Sequence, residues 1–144
     1  MPVHFTLMAA FLALALLASP ACTVIDGDTI RCGSERIRLT GIDAPERGAC
    51  LPRGRVCVAG DGEASKRSLA AALSEGEVAI TRLGHDRYGR TLAVVRVGGR
   101  NMACVQLTAG QAFYREDWDT GRLVARDCPT AADQRRLANH DKPG

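Results

Sequence analysis

A chain of 144 residues is long enough for one domain of ordinary size and too short for two. With 46% hydrophobic and 24% charged residues, the composition excludes an intrinsically disordered chain and a polytopic membrane protein. The 19 Lys and Arg against 16 Asp and Glu leave a formal charge of +3, which predicts local steering of an anionic partner rather than a uniformly basic face.

Those averages mix two unlike parts, because residues 1–21 contain no Asp, Glu, Lys or Arg and 16 of them are hydrophobic. From Phe5 to Ala18 only Thr6 is not apolar. That run is shorter than the roughly 20 residues of a spanning helix and suits the hydrophobic region of a secretory signal. Ser19-Pro20-Ala21 places small residues at the third and first positions before a cut, so residues 1–21 are expected to be removed, leaving 22–144 as the mature, secreted or periplasmic domain with no membrane span. Two other readings stay open. Met1-Pro2-Val3-His4 lacks the usual basic residue, as in an uncleaved anchor through residues 5–18, and Cys22 stands where a lipoprotein would be lipidated.

All six cysteines, at 22, 32, 50, 57, 104 and 128, lie in the mature part. An even number in an exported chain points to disulfides. Zinc is the competitor, but no C-x2-C pair exists, and the mature histidines, His85 and His140, lie near none of these cysteines in sequence. Six cysteines allow 15 pairings. Local spacing suggests Cys22 with Cys32 across a hairpin and Cys50 with Cys57 around a short loop, which leaves Cys104 and Cys128.

In chain order, Thr23-Val24-Ile25 and Thr29-Ile30-Arg31-Cys32 flank Asp26-Gly27-Asp28 and read as a hairpin. Arg36 to Thr40 alternates polar and apolar, as a strand with one buried face does. Ala44 to Gly60 has loop composition. Glu63 to Ser74 reads as a helix, with Ser65, Leu69, Ala72 and Leu73 on one stripe. Val78–Thr81 and Leu92–Val97 are two further strands around the polar segment 84–90. Asn101 can cap a helix through Met102, Val105 and Leu107 that stops at Gly110, and Thr130 with Asp133 resembles a capping box for a short last helix. The expected class is α+β, mainly β: a five-stranded OB-fold barrel with about three helices outside.

Asp28 at the start of the second strand and Asp43 after the third reach the same end of the hairpin. Two carboxylates without His or Cys select a hard cation, Ca2+ or Mg2+. Each Asp alone would pass for a turn residue. Arg38 and Arg90 can clamp charge developing on a phosphoryl group, and Glu46, close to the pair, can take a proton from an attacking water. In a chain so rich in arginine, a surface ion pair is the plain reading of either Arg alone.

Three blocks, Val24 to Thr29, Ile37 to Glu46 and Asp86 to Ala93, together with the helix start Gly62-Glu63-Ala64-Ser65, resemble the staphylococcal nuclease (thermonuclease) family in order and separation. The resemblance implies a Ca2+-dependent enzyme that hydrolyses phosphodiester bonds of DNA and RNA, breaking the bond to the 5′ oxygen and leaving 3′-phosphates. By that resemblance Asp28, Asp43 and the backbone carbonyl of Ala44 hold the calcium, Arg38 and Arg90 bind phosphate, and Glu46 is the general base. Arg87 and Tyr88 fall near the bound nucleotide. Ala44 stands where the family often has Thr. Past Gly110 the pattern diverges, and Tyr114 or Trp118 is the candidate for stacking on a base, with a core role for these aromatics as the alternative. Expected partners are DNA and RNA, single strands favoured, bound by a monomer. The competing reading is a non-catalytic OB-fold nucleic-acid or protein-binding module, which would have no use for two carboxylates, Glu46 and two arginines together.

Overall fold

The computed structural model describes residues 21–51 and 53–137. Apart from Ala21, the expected signal lies outside the described residues. Strand β1 (Cys22–Asp26) turns at Gly27-Asp28 into β2 (Thr29–Cys32), and β3 (Glu35–Leu39) follows, each pair antiparallel. Strand alternation is visible in burial: Ile30, Cys32, Ile37 and Leu39 face the core, whereas Arg31 and Arg36 are exposed. After the two-residue β4 (Ile42–Asp43) comes a long loop, then α1 (Gly62–Leu73). Asp61 caps α1, its carboxylate accepting the N–H of Glu63 at 2.9 Å and of Ala64 at 3.1 Å.

Strands β5 (Val78–His85) and β6 (Thr91–Val97) form an antiparallel hairpin, and β6 also runs parallel to β3, with Arg38 opposite Leu92. The short β7 (Arg100–Asn101) leads into α2 (Met102–Thr108), capped by Asn101 as expected, Oδ1 accepting the Ala103 N–H at 3.0 Å. Strand β8 (Phe113–Tyr114), single 3-10 turns at Glu116–Trp118 and Thr120–Arg122, then α3 (Leu123–Asp127) and α4 (Pro129–Gln134) complete the described chain.

The fold is α+β with mainly strands, and the closed five-stranded barrel is corrected. The main sheet has six strands in the order β1-β2-β3-β6-β5 with β7 on β6, and β4 and β8 form a separate ladder. A cleft lined by Val24, Leu73, Val78 and Ile80 separates edge strands β1 and β5, so their backbones do not meet. There are four α-helices among the described residues rather than three. The Thr130–Asp133 capping box does not form either. Pro129 takes the first helical position, where its missing N–H and fixed φ cost nothing, and Cys128 becomes the cap.

One core cluster joins sheet and helices, with Ile30, Ile37, Leu39, Ile42, Leu69, Met102, Leu107, Tyr114 and Val124 all buried. Disulfides join Cys22 to Cys32, Cys50 to Cys57 and Cys104 to Cys128, the pairs that local spacing suggested, which leaves no thiol for zinc. No helix among the described residues is long and apolar enough to cross a membrane.

Candidate active site

The β1–β2 turn that carries Asp28 is held from beneath. Gln106 of α2 donates its amide to the Gly27 carbonyl at 2.7 Å and to the Ser65 carbonyl of α1 at 2.9 Å, and the Ser65 hydroxyl donates to the Gln111 carbonyl at 2.7 Å. A side chain at Gly27 would collide with Ser65, so only glycine lets the turn sit this close to α1. Asp28 is buried and accepts from the Thr29 hydroxyl at 2.9 Å and from the Ala44 N–H at 2.8 Å. The second contact ties the first carboxylate to the residue after Asp43.

Asp43 is positioned from two directions. β4 pairs with β8, Asp43 opposite Phe113, and Arg38 on β3 spans both carboxylates, its Nη2 lying 3.3 Å from Asp28 Oδ2 and 3.9 Å from Asp43 Oδ1. Burial pushes the Asp43 carboxyl up to about 6, against the pull of the Arg38 guanidinium and with the Asp28 charge adding to the rise. Asp28, Asp43, Ala44 and Arg38 are thus brought together.

Glu46 follows Asp43 by three residues, with Oε1 2.7 Å from Arg55 Nη2 of the loop closed by Cys50–Cys57, and the Arg55 charge is one of those that act on Asp43. The start of α1 presses on it from behind, since a Cβ at Gly62 would fall on the Glu46 carbonyl oxygen. Arg90 belongs to another group, the β5–β6 turn. Its Nε donates to Asp86 Oδ2 at 2.6 Å, and the Asp86 Oδ1 accepts the N–H of Tyr88 at 2.8 Å and of Arg90 at 3.0 Å. Partial burial works against Asp86, but these hydrogen bonds outweigh it and hold the carboxyl below its ordinary range. Tyr88 is 65% exposed, with Arg87 Cζ 5.0 Å and Arg90 Cζ 5.5 Å from its ring centroid. Because Ile37 of β3 is opposite Thr91 of β6, this turn lies one strand away from Arg38. No hydrogen bond or ion pair among the described residues links Arg90 to the carboxylates.

One contributor, Arg115, carried no signal in the sequence, and it lies beside Trp118, one of the two aromatics expected to stack on a base. Arg115 is buried, with Nη1 3.8 Å from Asp43 Oδ2 and Nη2 2.9 Å from Asp117 Oδ2. Its N–H donates to the Gly41 carbonyl at 2.8 Å. Trp118 stacks on it with Arg115 Cζ 3.8 Å from the ring centroid, and Arg38 Cζ lies 5.3 Å away. The Trp118 carbonyl accepts from the Thr40 hydroxyl at 2.8 Å and the Gly41 N–H at 3.0 Å, which leaves the indole 40% exposed at the site's rim. Tyr114 is the opposite case and corrects one expectation. It is 0% exposed and donates its hydroxyl to Asp119 at 2.8 Å, so its ring has no face open to a base.

Residues 36–137 match the family described as "Staphylococcal nuclease homologue". The chain belongs to the staphylococcal nuclease family. The match takes in Arg38, Asp43, Glu46, Arg90, Arg115 and Trp118, while Asp28 precedes it and is brought in by the β1–β2 hairpin. Similar proteins include an uncharacterized endonuclease of Haemophilus influenzae, 34% identical over 100 residues that make up 64% of this chain and 51% of that one. The micrococcal nuclease of Shigella flexneri is 38% identical over 76 residues, 50% of this chain and 38% of that one. The succinoglycan biosynthesis protein ExoI of Rhizobium meliloti is 34% identical over 111 residues, 76% of this chain and 58% of that one. The chain spans about half the length of the curated relatives it matches.

Proposed function

We propose that the chain is a calcium-dependent nuclease that hydrolyses phosphodiester bonds of DNA and RNA, working as an exported monomer freed of residues 1–21. The observation that carries the reading is the pair of buried carboxylates, Asp28 and Asp43, spanned by one guanidinium and flanked by a second, with Glu46 three residues past Asp43. Family membership, relatives named endonuclease and micrococcal nuclease, and three disulfides suited to an oxidising compartment support it.

The donor set fits a hard divalent cation. It consists of carboxylates with backbone oxygens nearby, and Asp28 and Asp43 repel each other in a buried place where added positive charge stabilises both. No three His, Cys, Asp or Glu among the described residues converge, so the pair needs backbone and water oxygens to complete a coordination shell. Asp28, Asp43 and the Ala44 carbonyl would hold the ion. When bound, calcium supplies positive charge that polarises the phosphoryl group. Arg38 and Arg90 would each donate hydrogen bonds to the phosphate oxygens, more strongly as negative charge gathers on them in the transition state. Glu46, with one oxygen on Arg55, accepts a proton from the attacking water at the other. The water oxygen bonds to phosphorus, and the 5′ oxygen leaves with the electron pair and takes a proton from solvent, leaving a 3′-phosphate.

The test is degradation of single-stranded DNA, duplex DNA and RNA by the protein expressed without residues 1–21, with Ca2+ and with excess chelator. Cleavage of all three with Ca2+, fastest for the single strand, and none with chelator is expected. Undiminished cleavage in chelator overturns the metal assignment, and Glu46→Gln with wild-type kcat overturns the base assignment.

A further inference from the structure

The face of the sheet that carries Arg38 continues beyond the site. Residues two apart on a strand share a face, so Arg36 lies on Arg38's side of β3, about 6.6 Å along at a rise of ~3.3 Å per residue. Directly across on β2 stands Arg31, and across from that on β1 stands Thr23. Arg31 and Arg36 are both exposed, and neither makes an ion pair among the described residues. Like charges directly opposite on neighbouring strands destabilise a sheet. Most other arginines near the site have a carboxylate: Arg38 has two, Arg90 has Asp86, Arg55 has Glu46 and Arg47 has Glu63. The one acid of β3, Glu35, is on the opposite face and is engaged by Arg82.

We propose that Arg36 and Arg31 form a phosphate track that extends the candidate active site along the β2–β3 face and binds the backbone of single-stranded nucleic acid beyond the scissile bond. The proposal rests on the nuclease reading and names its substrate class, a polynucleotide with at least two phosphates outside the reacting one. A polyanion is the occupant whose charge offsets the Arg31–Arg36 repulsion, and the spacing from Arg38 to Arg36 suits successive phosphates of an extended strand. A folded protein partner would need carboxylates at the same spacing and gains nothing from continuity with Arg38. The track consists of guanidinium groups alone, so it operates without calcium.

The test is therefore binding rather than cleavage. A fluorescent single-stranded 12-nucleotide DNA is titrated with wild type in excess chelator over a series of salt concentrations, and anisotropy is read. Each phosphate neutralised on a single strand contributes about 0.7 to the slope of log K against log salt, so Arg31→Gln/Arg36→Gln is expected to flatten that slope by about 1.4. Arg31→Lys/Arg36→Lys keeps the slope. Arg67→Gln/Arg126→Gln, which removes the same net charge from exposed helix positions elsewhere, keeps it as well. A thermal melt of each variant establishes that it is folded, and Arg36→Gln alone, expected to flatten the slope by about 0.7, carries the test should the double Gln variant not fold. Equal slopes for wild type and Arg31→Gln/Arg36→Gln, equal flattening in the Arg67/Arg126 control, or no binding by wild type in chelator each overturns the track. Failure of the nuclease reading shows separately, as binding with the expected slopes but no cleavage when Ca2+ is added.

Discussion

Toward the core, β3 presents Glu35, Ile37 and Leu39; toward the opposite face it presents Arg36 and Arg38. On the first face every group completes its interactions inside the chain. Ile37 and Leu39 are buried, and Glu35 accepts from Arg82 at 2.6 and 2.9 Å and from the Thr91 hydroxyl at 2.8 Å. On the second face the charges are served incompletely. Arg36 has no ion-pair partner among the described residues, and Arg38 stands 3.3 and 3.9 Å from its carboxylates, longer than the roughly 2.7–2.9 Å of a strong charge-assisted hydrogen bond. A strand anchored by one face can hold on the other a set of charges that only a ligand satisfies.

The largest way to break that contrast is at Arg38. Arg38→Ala is expected to lower kcat/KM for Ca2+-dependent cleavage of single-stranded DNA by roughly a thousandfold, the cost of removing a preorganised donor to developing charge. Wild-type steady-state kinetics in this variant would place the arginine on the structural side of the strand. One residue earlier, Ile37 is 0% exposed, and Ile37→Ala is expected to cost about 2–5 kcal/mol of stability, read as a fall in the urea midpoint. Its folded fraction should cleave with near wild-type kcat, so the two neighbours separate function from stability. Trp118 comes next, since its ring rests beside Arg38 and its carbonyl on the Thr40 hydroxyl. Trp118→Ala is expected to raise KM for an oligonucleotide by about tenfold, corresponding to ~1–3 kcal/mol per stacked base. An unchanged KM makes the indole a cover for Arg115 instead.

What was legible in the sequence followed from how far apart in the chain the interacting residues lie. The hairpin of β1 and β2, the alternation of β3, the Asn101 cap and the 22–32 disulfide are decided by neighbours within about ten positions, and the structure has them. Asp28 and Asp43 were identifiable for the same reason, since one hairpin and one further strand bring them together, whereas spacing did not distinguish Arg38 from the many other arginines and only the resemblance of its block to the family did. Arg115 was not identifiable. It reaches Asp43 because two residues of β8 pair with two of β4, a ladder too short to leave periodicity and spanning about seventy positions. Tyr114 and Trp118 are four residues apart and equally aromatic, yet one is sealed in the core and the other lies at the rim. The difference arises from the 3-10 turn at Glu116–Trp118, which no local pattern announced. Barrel closure misled in the opposite direction, because strand count and order say nothing of whether β1 and β5 come close enough to bond.

The smallest expected effect sharpens the core-facing side of the comparison. The hydrogen bonds from Arg82 and Thr91 pull the Glu35 carboxyl down to about 2 from an ordinary value of 4.5. Between those two values the unfolded chain therefore binds more protons at this position than the folded one, and stability rises with pH across the window. The contribution is whole above about pH 4.5 and is lost as the pH falls toward 2. Glu35→Gln should melt slightly below wild type at pH 7, and the gap between the two melting temperatures should close as calorimetry is repeated stepwise down to pH 2.5. Salt should narrow the gap at pH 7 as well, because the Glu35–Arg82 pair is partly exposed. A gap that stays constant from pH 7 to pH 2.5 means Glu35 acts through its shape and neutral hydrogen bonds. The two faces of β3 would then differ in packing alone, and the lack of an ion pair for Arg36 among the described residues would lose its significance as the electrostatic counterpart of a satisfied carboxylate.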